Sequence, residues 1–92
     1  MPRPMTEDDA IRRKRLLHRS RYTGIKETDI LLGAFAERHL PGFDAGQLDR
    51  YEALLETGSD PVIYAWAIGA IPVPPEHDND VMALLKAFRL KV

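Results

Sequence analysis

Glycine and proline cut this chain at Gly24, Pro41-Gly42, Gly58, Pro61, Gly69 and the run from Pro72 to Pro75. The longer stretches between the cuts space their apolar residues as an α-helix does, and none alternates with period two. Ninety-two residues suffice for one small core, without a deep cleft beside it. The expected fold is all-α: a single-domain five-helix bundle with short connections, over residues 6–92, behind a loose tail at residues 1–5.

The segments have their own start and stop signals. Thr6 with Asp9 resembles an N-terminal cap, and a first helix runs from there to about Tyr22, with Ile11, Leu16 and Leu17 as a narrow apolar stripe. Gly24 fits the position just past a helix end. The second helix covers Lys26 to His39, and Ile30, Leu31, Ala34, Phe35 and Ala36 make it apolar round much of its circumference, as a central helix must be. Asp44 and Gln47 read as a capping pair for the third, in which Leu48, Tyr51 and Leu55 share a face and Gly58 is the stop. Asp60-Pro61 opens the fourth, with Val62, Ile63, Trp66 and Ala67 on its buried side, and Gly69 closes it. Residues 71–75 are too rich in proline for a helix. The last helix starts at Asp78 or Asn79 and buries Val81, Leu84, Leu85 and Phe88.

Net charge is −1, yet residues 12–21 hold Arg12, Arg13, Lys14, Arg15, Arg19 and Arg21 with no acid among them. This predicts a positive end that orients the molecule towards a partner. As a whole the chain is less basic than a usual nucleic-acid binder. It has no cysteine, which excludes disulfides and thiolate chemistry and fits a reducing compartment. No apolar run approaches a membrane span, so no membrane insertion is expected. Glu7, Asp8 and Asp9 precede the basic run, unlike a secretory signal or an acid-poor transit peptide. The expected location is cytoplasmic, that of a bacterium in preference to the mitochondrial matrix. Monomer is expected, since no heptad seam is present.

Little in the chain offers chemistry. His18, His39 and His77 lack metal-ligand spacing, so they read as surface or helix-end residues and no metal site is expected. The acid pairs have no cavity to separate their pKa values, Ser20 and Ser59 lack a nucleophile elbow, and the glycines match no phosphate loop. No catalytic residue is assigned. The arginines of the first helix have two readings, a solvated face or a phosphate-binding surface, and the first is favoured because no helix-turn-helix spacing accompanies them. At the first junction Gly24 reads as a helix terminator and Glu27 as the acid that complements the next helix's positive start.

The segment Ser20-Arg21-Tyr22-Thr23-Gly24-Ile25-Lys26-Glu27-Thr28-Asp29, then Ile30 to Phe35, then Tyr51 to Leu55, Asp60-Pro61, Trp66 and Gly69, carries a resemblance. In order and spacing it is similar to the succinate dehydrogenase assembly factor 2 family, the FAD assembly factors called SdhE in bacteria, over about Arg13 to Phe88. The resemblance implies a five-helix assembly chaperone that binds the flavoprotein subunit of succinate dehydrogenase, or of the related fumarate reductase. It also implies that the chaperone promotes covalent FAD attachment there. FAD is then the client's cofactor, and none is expected to be bound tightly here. In the family's Arg-Gly-x-x-Glu signature the glycine and glutamate face the partner, and Gly24 and Glu27 take those positions. Arg21, Thr23 and Asp29 complete the expected partner-binding set. The chain departs from the signature at Thr23, which stands for the arginine and offers neither a guanidinium fork nor a charge. Two other readings are a helical interaction module with a changed client, and a small nucleic-acid-binding regulator using the first helix's arginines.

Overall fold

A computed structural model describes residues 7–57 and 60–88. Among them are five α-helices and no strand: α1 (Glu7–Arg21), α2 (Lys26–His39), α3 (Ala45–Thr57), α4 (Asp60–Ala67) and α5 (Asp80–Ala87), with short 3-10 turns at Leu40–Gly42 and Pro75–His77. The expected tail, the Thr6 cap, the Gly58 stop and the side chain of Asp60 lie outside the described residues.

Local chemistry sets most helix ends. The N–H of Gln47 donates to Asp44 Oδ1 (2.8 Å) and the N–H of Asp44 to Gln47 Oε1 (3.0 Å), a reciprocal capping box at the start of α3. Asn79 caps α5 by accepting from the N–H of Met82. At the end of α4, Gly69 adopts φ +78°, a conformation that is costly for any residue with a Cβ. Its N–H donates to Trp66 O and that of Ala70 to Ala65 O, the paired bonds of a Schellman stop.

The core is centred on α2, which packs on both α1 and α4, while α3 meets α1, α4 and α5. Leu31, Leu32, Phe35 and Ala36 of α2 are buried with Leu48, Tyr51, Leu54 and Leu55 of α3, Ile63 and Trp66 of α4, and Val81, Met82 and Leu85 of α5. Phe35 is fully enclosed and touches the rings of His39, Phe43, Tyr51 and Phe88. Truncating such a side chain to alanine costs about 3–5 kcal/mol.

Several positions differ from the periodic reading. Ile11 is 60% exposed, and the anchor of α1 is Leu16. Ile30 faces outward, whereas Met82 and Leu54 are buried. His77 is buried against Trp66, at 5.4 Å between rings, and is not a solvated residue. His39 is half-buried among Phe35, Phe43 and Phe88; burial first, and then the charge of Arg38, lowers its pKa from 6.5. The helix dipole that would favour its cation is outweighed by desolvation.

One polar pair crosses the core. Ser20 Oγ is 2.7 Å from Leu16 O and 2.5 Å from the Tyr51 hydroxyl. A carbonyl only accepts, so the single Ser20 proton goes to Leu16 and Tyr51 donates to Ser20. Burial raises the Tyr51 pKa, against the opposing hydrogen bond, so the phenol stays protonated and keeps this role.

The pair yields an asymmetric prediction. Tyr51→Phe removes one hydrogen bond and leaves the Ser20 donor satisfied, at about 0.5–1.5 kcal/mol; Ser20→Ala strands a buried phenol, at about 1–3 kcal/mol. Urea unfolding should show the larger loss for Ser20→Ala, and a double variant that costs less than the sum. Stability should also fall with acid in two stages. The unfolded chain protonates His39 more readily than the folded one, so stability held above pH 6.5 is lost as pH falls from there towards the lower folded value. Glu52 and Asp80 are held low by Arg15 and Arg50 respectively, so what they contribute above their ordinary pKa values of 4.5 and 3.8 is lost below these. In urea midpoints measured against pH, His39→Phe should remove the first stage and leave the second.

Candidate functional site

The turn from α1 into α2 is held by a knot of hydrogen bonds around Asp29. The Thr23 hydroxyl lies 2.5 Å from Asp29 Oδ1 and the Thr23 N–H donates to the same oxygen. The N–H of Ile25 donates to Thr23 Oγ1 at 3.2 Å. Ile25 occupies the cap position of α2 and supplies no side-chain acceptor, so Asp29, one turn on, reaches back in place of a cap. The Thr23 hydroxyl first, and then the Thr23 N–H, hold the Asp29 carboxyl below its ordinary 3.8; the Gly24 N–H and the charge of Arg19 act in the same direction.

Gly24 sits between these groups with φ +92°, the left-handed side of the map. A Cβ built there meets nothing within 4 Å. Glycine is therefore required by the backbone and not by crowding from its own chain, and the space over it is open to a visitor. Glu27 is exposed in the first turn of α2, and its carboxylate makes no hydrogen bond or ion pair with the described residues. The other expected residues are engaged internally. Thr23 and Asp29 bind each other, and Arg21 lays its side chain beside Gly33 and pairs with Glu37 of α2.

Two neighbours were not anticipated. Tyr22 is 67% exposed, its ring 4.6 Å from that of His18 one turn back on α1. Ile30 is 50% exposed, three residues after Glu27 and on the same face of α2. The signal for Ile30 was present: Glu27, Ile30, Ala34 and Glu37 follow three- and four-residue spacing, with acids at both ends of the strip.

The basic run is spent largely within the molecule. Arg12 bridges Asp49 and Glu52 of α3, and Arg15 also binds Glu52. Arg13 donates to Leu40 O (3.1 Å) and Phe43 O (2.8 Å), closing the bend after α2. Guanidinium groups held this way are poorly placed to track a phosphate backbone, which weakens the nucleic-acid reading. Among the described residues no cluster of histidine and carboxylate has the makings of a metal site, and no helix is long and apolar enough to cross a membrane.

Known proteins give this geometry a context. A family model described as Sdh5, flavinator of succinate dehydrogenase, matches residues 14–89. The chain is 42% identical over 86 residues to succinate dehydrogenase assembly factor 2-A, mitochondrial, of Drosophila mojavensis, covering 90% of this chain and 55% of that protein. It is 40% identical over 86 residues to succinate dehydrogenase assembly factor 2, mitochondrial, of Drosophila grimshawi, covering 92% and 58%. It is 43% identical over 76 residues to the factor 2-A of Drosophila erecta, covering 82% and 47%. The chain spans about half the length of these curated relatives.

These names overturn the expected bacterial cytoplasmic location, because the relatives are mitochondrial proteins. That expectation leaned in part on missing cysteine, which does not separate one reducing compartment from another. The match to the family model runs from the second half of α1 through α5 and includes the α1–α2 corner. The chain belongs to the Sdh5 family, the family of succinate dehydrogenase assembly factors rather than of catalysts.

Proposed function

We propose that this chain is an assembly chaperone that docks through its α1–α2 corner on the flavoprotein subunit of succinate dehydrogenase and promotes covalent attachment of FAD to that subunit. The observation that carries the reading is the pairing of an open, positive-φ Gly24 with an exposed, unengaged Glu27 on a corner otherwise fixed by internal hydrogen bonds. The flavin belongs to the client, and the bond forms between the client's own groups.

The chaperone acts by preference among conformations. A helper that binds one domain arrangement of its client more tightly raises the population of that arrangement by the difference in affinity. A preference of about 1.4 kcal/mol shifts the balance tenfold. Gly24 contributes by absence, since backbone without a side chain lets the partner come close. Glu27 contributes a charge-assisted hydrogen bond to a donor on the client. The rigid corner loses little conformational entropy on docking.

A second reading, the same scaffold serving a changed client, is favoured by one observation. Thr23 stands where the resemblance places an arginine, and its hydroxyl turns inward to Asp29, so the corner presents no cation at that position.

Deleting the gene should reduce covalent flavin on the succinate dehydrogenase flavoprotein, seen as loss of fluorescence from its band on a denaturing gel; unchanged flavinylation supports the second reading. Two substitutions test the corner. Gly24→Ala and Gly24→Arg both bear the strain of a positive φ, about 1–2 kcal/mol, but the arginine alone fills the space above the turn. Gly24→Arg should stay folded and lose co-purification with the flavoprotein, while Gly24→Ala retains most of it. Normal co-purification of Gly24→Arg would place the docking site elsewhere.

A further inference from the structure

The described surface carries few large apolar side chains. Ile11, Tyr22, Ile30, Ile68 and Ile71 are exposed, and single exposed residues of this kind are ordinary. Tyr22 and Ile30 differ in their setting. Among the described residues they flank the one stretch of backbone that combines a positive φ with open space and an unengaged carboxylate. Tyr22 lies two residues before Gly24, and Ile30 stands about 4.5 Å along the α2 axis from Glu27.

Both side chains are held in place before any partner arrives. The Tyr22 ring packs on His18 at i−4. Ile30 projects from a regular helix and is stiff at χ1. The turn between them is tied by the Thr23, Ile25 and Asp29 hydrogen bonds. Apolar groups on a rigid frame lose little entropy when covered, and tyrosine is enriched among residues that dominate binding energy. The charge at the corner is equally defined. Asp29 is satisfied by Thr23, so Glu27 is the carboxylate left to meet a cation.

We infer that Tyr22 and Ile30 are the apolar anchors of the docking surface, seated in two hollows of the client flavoprotein on either side of a basic group that faces Glu27. The inference rests on the docking role proposed above and assigns the affinity of that contact to these two side chains, with Gly24 and Glu27 setting approach and register. Tyr22 also lines a groove of about 590 Å³ between α1 and α3, together with Leu16, His18 and Leu55. The anchored surface therefore continues past the corner along α1.

The test is binding of the purified chain to immobilised flavoprotein subunit lacking FAD. Tyr22→Ala and Ile30→Ala should each weaken binding at least tenfold, about 1.4 kcal/mol, with an unchanged melting temperature because both side chains are exposed. Ile11→Ala, at a still more exposed isoleucine away from the corner, should bind as the unaltered chain does. If the unaltered chain binds, Gly24→Arg does not, and both alanine variants bind normally, the anchor assignment falls and the docking role stands. If Ile11→Ala weakens binding as much as the other two, the anchors are not confined to the corner and the assignment also falls. If the unaltered chain shows no binding, both fall together.

Discussion

The burial of Phe35 is the constraint on which the rest of this molecule depends. One ring, sealed from water, touches α2, the bend after it, α3 and the residue that follows α5. An eight-residue helix such as α4 or α5 is far too short to be stable alone in water, so it persists here only by packing on α2 and α3. A chain of this size has one core to organise, and its central helix must present apolar surface in several directions at once.

Polar groups then fix how the helices meet. Tyr51 reaches across the core to Ser20, and so sets the height of α3 against α1. Arg12, Arg13 and Arg15 tie α1 to α3 and to the bend after α2, while Arg50 holds Asp80 at the start of α5 with bonds of 2.7 and 3.0 Å. The surface pairs are individually weak, and their value lies in register more than in stability. With Arg12, Arg15 and Arg21 paired to acids and Arg13 to carbonyls, α1 leads into an exposed tyrosine and an open glycine in place of a band of free cations.

The corner is ordered by short-range polar contacts around Thr23. Threonine cannot replace an arginine's charge, but it can close a turn by hydrogen-bonding a carboxylate six residues on, and Thr23 does so with Asp29. That bond helps to hold the turn in which Gly24 and Glu27 are exposed.

The sequence by itself determined the helices. Their ends at Gly24, Asp44, Gly69 and Asn79 depend on groups within a few residues of each other, and those interactions are legible as spacing. The order of residues around Gly24 and Glu27 made them candidates for a docking site. Only the tertiary structure decided that Ile30 faces water and Met82 does not, that His39 and His77 are enclosed by rings, and that the arginines are occupied. The ion pairs join residues 16 and 40 positions apart, as Arg21 with Glu37 and Arg12 with Glu52 illustrate, and the rings enclosing His39 and His77 include Phe88 and Trp66 from other elements. Burial and pairing are properties of the assembled surface. A periodic pattern names the apolar face of a helix, but which edges of that face are covered depends on the helices that come to lie against it.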